Sequence, residues 1–166
     1  SGAVTLSAPA VAGSVTVTLP STSGTMAVTA GSPSFTTITT TSDATINGQT
    51  IGKGGGSIST NTAHGTSALA TNTTAAQSTA VGYQASYSDS TGGRNTSIGY
   101  QAGYTNTAES GASFAGGYQA LKANTTGRYN IAIGGNSALA NTTASGNIAI
   151  GQSALETNTT GASNVA

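Results

Sequence analysis

Ionisable side chains, the usual source of chemistry, are scarce in this sequence. The chain has 166 residues, with four acidic residues, four basic residues, one histidine and no cysteine. A glycosidase needs two carboxyl groups at a defined separation. Asp89, Glu109 and Glu156 fall at three different positions of the internal repeat described below, so no acid pair recurs between neighbouring copies. The pattern predicts solvated surface carboxylates and no enzyme, although an acid pair formed across chains stays open.

Metal and phosphate sites have equally little support in the residue pattern. No acid shares the repeat position of His64, so this residue is at most a lone metal ligand, and we expect it to cap the first copy of the repeat. Residues 48–54 superficially resemble a phosphate-binding loop. That motif has four residues between its first two glycines and Ser or Thr after the lysine, whereas here there are three, and glycine follows Lys53. We predict no metal and no cofactor.

Tyrosines and glutamines at regular spacing are the best candidates for ligand binding. A Tyr-Gln pair follows an aligned glycine in three consecutive copies of the repeat. Tyrosine rings offer apolar faces and amides offer hydrogen bonds, so an exposed row of them could bind sugars. The other interpretation is a structural ladder that stiffens the chain. The candidate residues are Tyr83, Gln84, Tyr100, Gln101, Tyr118 and Gln119, with Tyr87 and Tyr104 in the same copies.

A short internal repeat sets these positions. A small residue usually stands two positions before an aligned glycine, and Asn or Ser stands four before it. A leucine often follows by about four positions, with Leu139 displaced by one, and Asn-Thr-Thr then recurs. Six copies are present, each seventeen residues long except for one of eighteen, and Asn164 begins a seventh. The aligned glycines are Gly65, Gly82, Gly99, Gly117, Gly134 and Gly151.

A repeat of this length predicts one coil of a β-solenoid. Seventeen residues are too few for a helical hairpin, and the Gly, Thr and Asn content disfavours helix. Each copy is predicted to hold a short strand, a bend, a second short strand that carries the leucine, and an Asn-Thr-Thr-Gly turn. Alternation puts Asn147 and Ala149 on one face of a first strand and Ile148 and Ile150 on the other, and it leaves open which face is inside.

A single coil of this kind cannot stand alone, because it buries too little apolar surface to offset the entropy of ordering its backbone. Stacking adds backbone pairing between coils at roughly 4.8 Å and ladders of like residues, including an Asn/Ser ladder. The core is still thin, since the whole chain has 24 Leu, Ile, Val and Phe residues. We therefore expect several chains, three in number, around a common axis, with a single-chain solenoid as the alternative.

Two regions divide the chain. Residues 1–58 are predicted to be an N-terminal module of short β-strands that ends in a Gly-rich junction, and residues 59–166 the stack of coils. Residues 14–19 alternate Val and Leu with polar residues, which is typical of a strand. Asn47-Gly48 between Ile46 and Gln49 predicts a two-residue hairpin.

Charge and hydropathy exclude several partners. The net charge is zero, and with only four Lys and Arg the chain has no basic patch of the kind that holds nucleic acid or an anionic membrane surface. No apolar run approaches the length, roughly 18 residues, that would suggest insertion in a bilayer.

The repeats resemble those of phage and prophage tail fibre proteins. The segments "STAVGYQASYS", "NTSIGYQAGYTNT", "GGYQALKANTTG" and "NIAIGQSALETNTTG" are similar to the "NTAIGYQAL..NTTG" repeats of that family. They are more distantly similar to the β-roll head repeats of trimeric autotransporter adhesins. His64 and Gly116 depart from the pattern, which has Val or Ile there, so we expect those two coils to be irregular or to mark the ends of regular packing.

The resemblance implies a homotrimeric, extracellular shaft of a virion tail fibre. Such a shaft supports host recognition and attachment, with other tail or baseplate proteins and a host surface glycan or protein receptor as partners. A cell-surface trimeric bacterial adhesin is the alternative. An ice-binding β-solenoid is a third hypothesis, and it requires flat outward rows of Thr-x-Thr.

Overall fold

The computed structural model describes residues 43–106 and 111–166. These residues form an all-β structure whose one short helical element is a 3-10 turn at Gly55–Ser57. The strand predicted at residues 14–19 lies outside the described residues. The strands are β1 (Ala44–Ile46), β2 (Gln49–Gly52), β3 (Thr62–His64), β4 (Thr79–Val81), β5 (Thr96–Ile98), β6 (Phe114–Gly116), β7 (Ile131–Ile133) and β8 (Ile148–Ile150). Within the described ranges, no helix is long and apolar enough to cross a membrane.

All eight strands belong to one sheet in sequence order. Strands β3 to β8 are parallel, one strand from each copy of the repeat, and equivalent residues pair in register, as Ala132 does with Ala149. The one longer copy keeps this register, because Ser97 still pairs with Ala115. The predicted β-solenoid of stacked coils is confirmed.

A β-hairpin covers the first coil. Strands β1 and β2 are antiparallel, and Asn47 and Gly48 at the turn have φ values of 50° and 79°, as a two-residue hairpin requires. Strand β2 then pairs with β3 in antiparallel fashion, so that Ile51 lies opposite His64. The predicted hairpin is confirmed, but the expectation that His64 caps the first coil is wrong, because β2 closes that edge.

Each coil buries the small face of its strand and exposes the branched face. Ala132 and Ala149 are fully buried, whereas Ile133 and Ile150 are 42% and 58% exposed. The interior of the solenoid is narrow beside these strands, because each coil is short and its chain reverses direction directly after the strand. A side chain as small as alanine fills the available space. The choice that side-chain alternation left open is settled: isoleucine faces out.

The expected second strand is absent from the described coils, and a run of turns replaces it. Residues two and four positions after the aligned glycine have positive φ, for example 53° at Gln84 and 46° at Ser86. The backbone of these turns still pairs between coils, since the Ser86 amide donates to the Ala102 carbonyl at 2.9 Å. The inward position four residues after Gly134 is held by Ala138, which is buried, and Leu139 is only half-buried. Sequence analysis aligned Leu139, displaced by one residue, with the leucines of other copies, and this alignment is wrong because Ala138 holds the equivalent position.

Buried asparagine and serine side chains join the coils from within. The backbone amides of Ser78 and Asn147 donate to the side-chain oxygens of Asn61 and Asn130, at 3.0 and 2.9 Å. Each of these bonds links a residue to the equivalent residue of the preceding coil. The predicted Asn/Ser ladder is confirmed. It gives hydrogen-bond partners to polar groups that are buried inside the narrow core.

The copies with unexpected residues are regular. Gly116 pairs with Ile98 on one side and Ile133 on the other. A side-chain Cβ added at Gly116 would lie 2.8 Å from a ring carbon of Phe114, so the phenylalanine ring covers the place of the missing side chain. The expectation that the coil of Gly116 is irregular or ends the regular packing is wrong, whereas the coil of His64 is the first of the parallel stack and does mark the end of regular parallel packing.

Candidate functional site: a stack of tyrosines

Three tyrosines from consecutive coils form a continuous stack, called here the tyrosine stack. The ring centroids of Tyr83 and Tyr100 are 5.4 Å apart, and those of Tyr100 and Tyr118 are 5.2 Å apart. The planes deviate from parallel by 12° and 8°. Each tyrosine follows an aligned glycine, and the parallel register places like residues above one another. The rings are about half exposed, so the stack lies at the surface.

The adjacent glutamines bond mainly to one another. Gln101 donates from Nε2 to Oε1 of Gln84 at 2.8 Å, and Gln119 donates in the same way to Gln101 at 2.9 Å. All three glutamines are half-buried. Within the described part of the chain, the Nε2 of Gln84 and the Oε1 of Gln119 form no side-chain hydrogen bond. The prediction that these amides could bind a sugar therefore applies only to the two ends of the glutamine row.

One end of the tyrosine stack is open. In the coil after Tyr118, the equivalent position is held by Gly135, and a Cβ built on Gly135 would have nothing within 4 Å. The outer face of the Tyr118 ring therefore lacks the neighbour that Tyr83 and Tyr100 have. Sequence analysis missed Gly135, although its position directly after Gly134 carries the information. An apolar ring face beside open space is a suitable platform for the apolar face of a sugar.

The other end of the stack borders a cavity of about 240 Å³. Tyr83 lines it together with His64, Gln49 and Thr66. His64 is exposed on the outward face of β3. Among the described residues, no group of three His, Asp or Glu side chains could hold a metal ion. A polar ligand at this end would meet one imidazole and one phenol.

A second pair of tyrosines stacks in the same coils. The rings of Tyr87 and Tyr104 have centroids 5.1 Å apart and planes within 9° of parallel. Both side chains are half-buried, in contrast to the exposed ring of Tyr118. This pair fits the interpretation of a structural ladder better than that of a ligand site.

The acidic residues do not form a catalytic pair among the described residues, and one of them is not at the surface. Asp89 is fully buried, and its Oδ2 accepts hydrogen bonds from Ser78 Oγ at 3.1 Å and Asn95 Nδ2 at 3.3 Å. Burial raises the pKa of the Asp89 carboxyl above the ordinary value of 3.8, while the bonds from Asn95 and Ser78 lower it. The prediction of a solvated carboxylate is wrong for this residue.

Comparison of the chain with protein-family models, with curated proteins and with solved structures finds no match. The geometry of the site is a surface row of tyrosine rings beside a row of paired glutamine amides, on a stack of parallel strands.

Proposed function

We propose that this chain is a structural segment of a homotrimeric tail fibre of a phage or phage-like particle, and that it supports attachment to the host cell. The observation that carries the proposal is the apolar outward face of the solenoid sheet. The repeat resemblance adds the trimeric shaft and the extracellular, virion-borne setting. The proposed partners are two further copies of the chain, other tail or baseplate proteins and a host receptor.

The outward face of the sheet has the composition of an interface. Most of its members from β5 onwards are large and apolar, and several are more than a third exposed. Exposed isoleucines on this face are Ile98, Ile131, Ile133 and Ile150. A continuous apolar surface of this kind marks an interaction site. Copies of the same chain are the proposed occupants, because three chains around a common axis can each turn this face toward the axis and cover it.

Light scattering of the purified chain tests the proposed oligomer. A homotrimer has three times the mass of 15.8 kDa. A monomer that stays monomeric at high protein concentration would exclude the trimer and would leave the isoleucines without the proposed cover.

We further propose that the tyrosine stack contacts a host surface glycan, with Tyr118 as the stacking platform and the terminal glutamine amides as hydrogen-bonding groups. Replacement of Tyr83, Tyr100 and Tyr118 by serine is expected to weaken binding to host cells. The matched control replaces Tyr87 and Tyr104 by serine. Gly135→Tyr tests the platform directly, because a fourth ring would cover the free face of Tyr118. Host binding that survives both the triple serine variant and Gly135→Tyr would exclude this contact.

A trimeric adhesin on a bacterial surface would use the same geometry, and genomic context separates the two settings: a membrane-anchor barrel downstream for the adhesin, a baseplate- or tail-binding N-terminus for the fibre. Ice binding is less well supported. The outward threonines Thr62, Thr79 and Thr96 form a single row over three coils, and Phe114 and Ile131 then replace them. A flat ice-binding face would need parallel rows.

A further inference from the structure

A second surface site lies away from the tyrosine stack, where the chain passes from one coil to the next. There a cavity of about 410 Å³ extends across turns that precede four successive strands, β4 to β7. Its side chains are polar or cationic, apart from Ala76. The functional side chains that line it are Thr74, Gln77, Thr91, Arg94, Arg128 and Tyr129.

Glycines form part of the floor of this cavity. Gly92, Gly93 and Gly111 line it with backbone alone, and a Cβ on Gly93 would lie 2.6 Å from the carbonyl oxygen of Ala76 in the preceding coil. A Cβ on Gly111 would lie 3.0 Å from Cε1 and Cζ of Tyr129, so this glycine lets the Tyr129 ring lie close against the preceding coil. The Tyr129 amide donates to the Gly111 carbonyl at 3.2 Å, which fixes the two coils in register. The Tyr129 ring remains 63% exposed.

Two of the four basic residues of the chain line this one cavity. Arg94 and Arg128 are exposed, and neither forms an ion pair with any residue in the described part of the chain. Their backbones are held firmly: the Arg94 amide donates to the Ala76 carbonyl at 2.9 Å, and the Arg128 amide to Ser145 Oγ at 3.0 Å. Guanidinium groups that have no ion-pair partner among the described residues, on backbone held by hydrogen bonds, are suited to carboxylate or phosphate ligands.

The distance between the two arginines favours an extended anion that carries several carboxylates. Arg94 and Arg128 lie two coils apart, so their backbones are separated along the stack by about 10 Å at roughly 4.8 Å per coil. An extended chain that carries repeated carboxylates can place a different carboxylate on each guanidinium group, whereas one small anion would gain the same two contacts only if both side chains turned toward it. Tyr129 lies beside Arg128 and offers a ring face to a sugar. Gln77 and Thr74 add amide and hydroxyl groups for sugar hydroxyls.

We propose that this cavity binds an acidic polysaccharide, a chain of sugars that carry carboxylates, with Arg94 and Arg128 on two carboxylates and Tyr129 stacked on the ring between or beside them. The site is separate from the tyrosine stack and does not need it. Binding by the purified chain is also independent of whether the chain occurs in a tail fibre, so the two proposals can fail separately.

The test is calorimetric titration of the purified full chain with a short oligogalacturonate. Binding is expected, and Arg94→Gln and Arg128→Gln are each expected to weaken it about tenfold, since a charge-assisted pair is lost. Tyr129→Ser should also weaken binding. Lys122→Gln is the matched control, because it removes one positive charge outside the cavity, and it should bind like the original chain. Thermal unfolding of each variant checks that the fold is intact.

Neutral oligosaccharide and inorganic sulfate are the comparison ligands. The proposal predicts no binding of a neutral maltooligosaccharide and much weaker binding of sulfate. Equal binding of sulfate and oligogalacturonate would replace the polysaccharide site with a general anion site. Absence of oligogalacturonate binding, or binding that is insensitive to both arginine substitutions, would overturn the proposal.

Discussion

Asp89 takes the place of an asparagine inside the solenoid. In equivalent positions of later coils, Asn141 donates from Nδ2 to Oδ1 of Asn124 at 2.9 Å. Asp89 stands one copy of the repeat after Asn72 and has no NH2 group to donate. Accordingly, Asn72 Oδ1 and Asp89 Oδ1 are both buried and both lack a hydrogen-bond partner. A proton on the Asp89 carboxyl would supply the missing donor between adjacent coils, and burial favours that protonated form by raising the pKa of the carboxyl.

The sign of the resulting pH dependence follows from the pKa. Burial raises the folded-state pKa of Asp89 above 3.8. The stability that comes from the neutral carboxyl is fully present below the unfolded-state pKa and is lost as pH rises through the folded-state pKa. The solenoid should therefore be more stable at acidic pH than at neutral pH. Thermal unfolding midpoints measured from acidic to neutral pH check whether stability falls as the pH rises.

Asp89→Asn should remove this dependence. An asparagine at residue 89 can donate to Asn72 Oδ1 and still accept from Ser78 and Asn95. At neutral pH the substitution is expected to stabilise the fold by about 1–3 kcal/mol, the usual cost of a buried unsatisfied polar group. Glu156→Gln is the control, since Glu156 is only half-buried. An Asp89→Asn chain that keeps the original pH profile would show that the carboxyl is not the titrating group.

At the scale of the coil, the aligned glycine is where the chain changes direction and neighbouring coils come closest. Gly82 has a φ of 129°, and a Cβ there would lie 2.5 Å from the carbonyl oxygen of Gly99. Gly151 has the same φ, but a Cβ on it would have nothing within 4 Å. The two positions separate backbone strain from steric contact between coils.

Gly82→Ala should therefore destabilise the solenoid more than Gly151→Ala does. Gly151→Ala carries only the strain of a left-handed backbone, about 1–3 kcal/mol. Gly82→Ala carries that strain and also forces the two coils apart. Chemical denaturation of the two variants measures the difference. Equal losses would mean that the coils adjust freely and that close stacking does not require the glycine column.

Sequence alone predicted the coil but not its cross-section. The spacing of the glycines and of the Asn or Ser positions predicted stacked β-coils with like residues in ladders, and the parallel register of β3 to β8 confirms this. The prediction of a second short strand in each copy was wrong, because turns take its place. Alternation could not choose between Ala149 and Ile148 for the interior, because that choice depends on how tightly the chain closes. Turns with positive φ at Gln84 and Ser86 were also missed, since neither residue is a usual choice for that backbone conformation.

The candidate site was also predicted only in part: the positions of its tyrosines were predicted, but not the contacts around them. Repeat spacing located Tyr83, Tyr100 and Tyr118 on one line, and the rings stack as expected of equivalent residues. The pairing of the glutamines with each other could not be foreseen from composition, nor could the open place at Gly135. The arginine cavity was missed because Arg94 and Arg128 lie two copies apart and the copy between them has no arginine.

At the scale of the whole molecule, the outward isoleucines determine the expected assembly. If the chain forms the proposed trimer, Ile133→Ser with Ile150→Ser should reduce its mass toward that of one chain, because the proposed interface loses two large apolar side chains per copy. Light scattering measures the mass. Thr79→Ser and Thr96→Ser form the control, since they change outward residues with little loss of apolar area. An unchanged mass after both isoleucine substitutions would place the contact between chains elsewhere.

The parallel register between similar coils has a consequence for evolution. Each copy of the repeat bonds to the next through the same backbone groups and the same buried asparagine or serine, so a copy gained or lost by recombination leaves the remaining joints intact. Reach would then change in increments of roughly 4.8 Å. Selection can therefore change the length of the solenoid through the number of copies, without any change to the contacts between neighbouring coils.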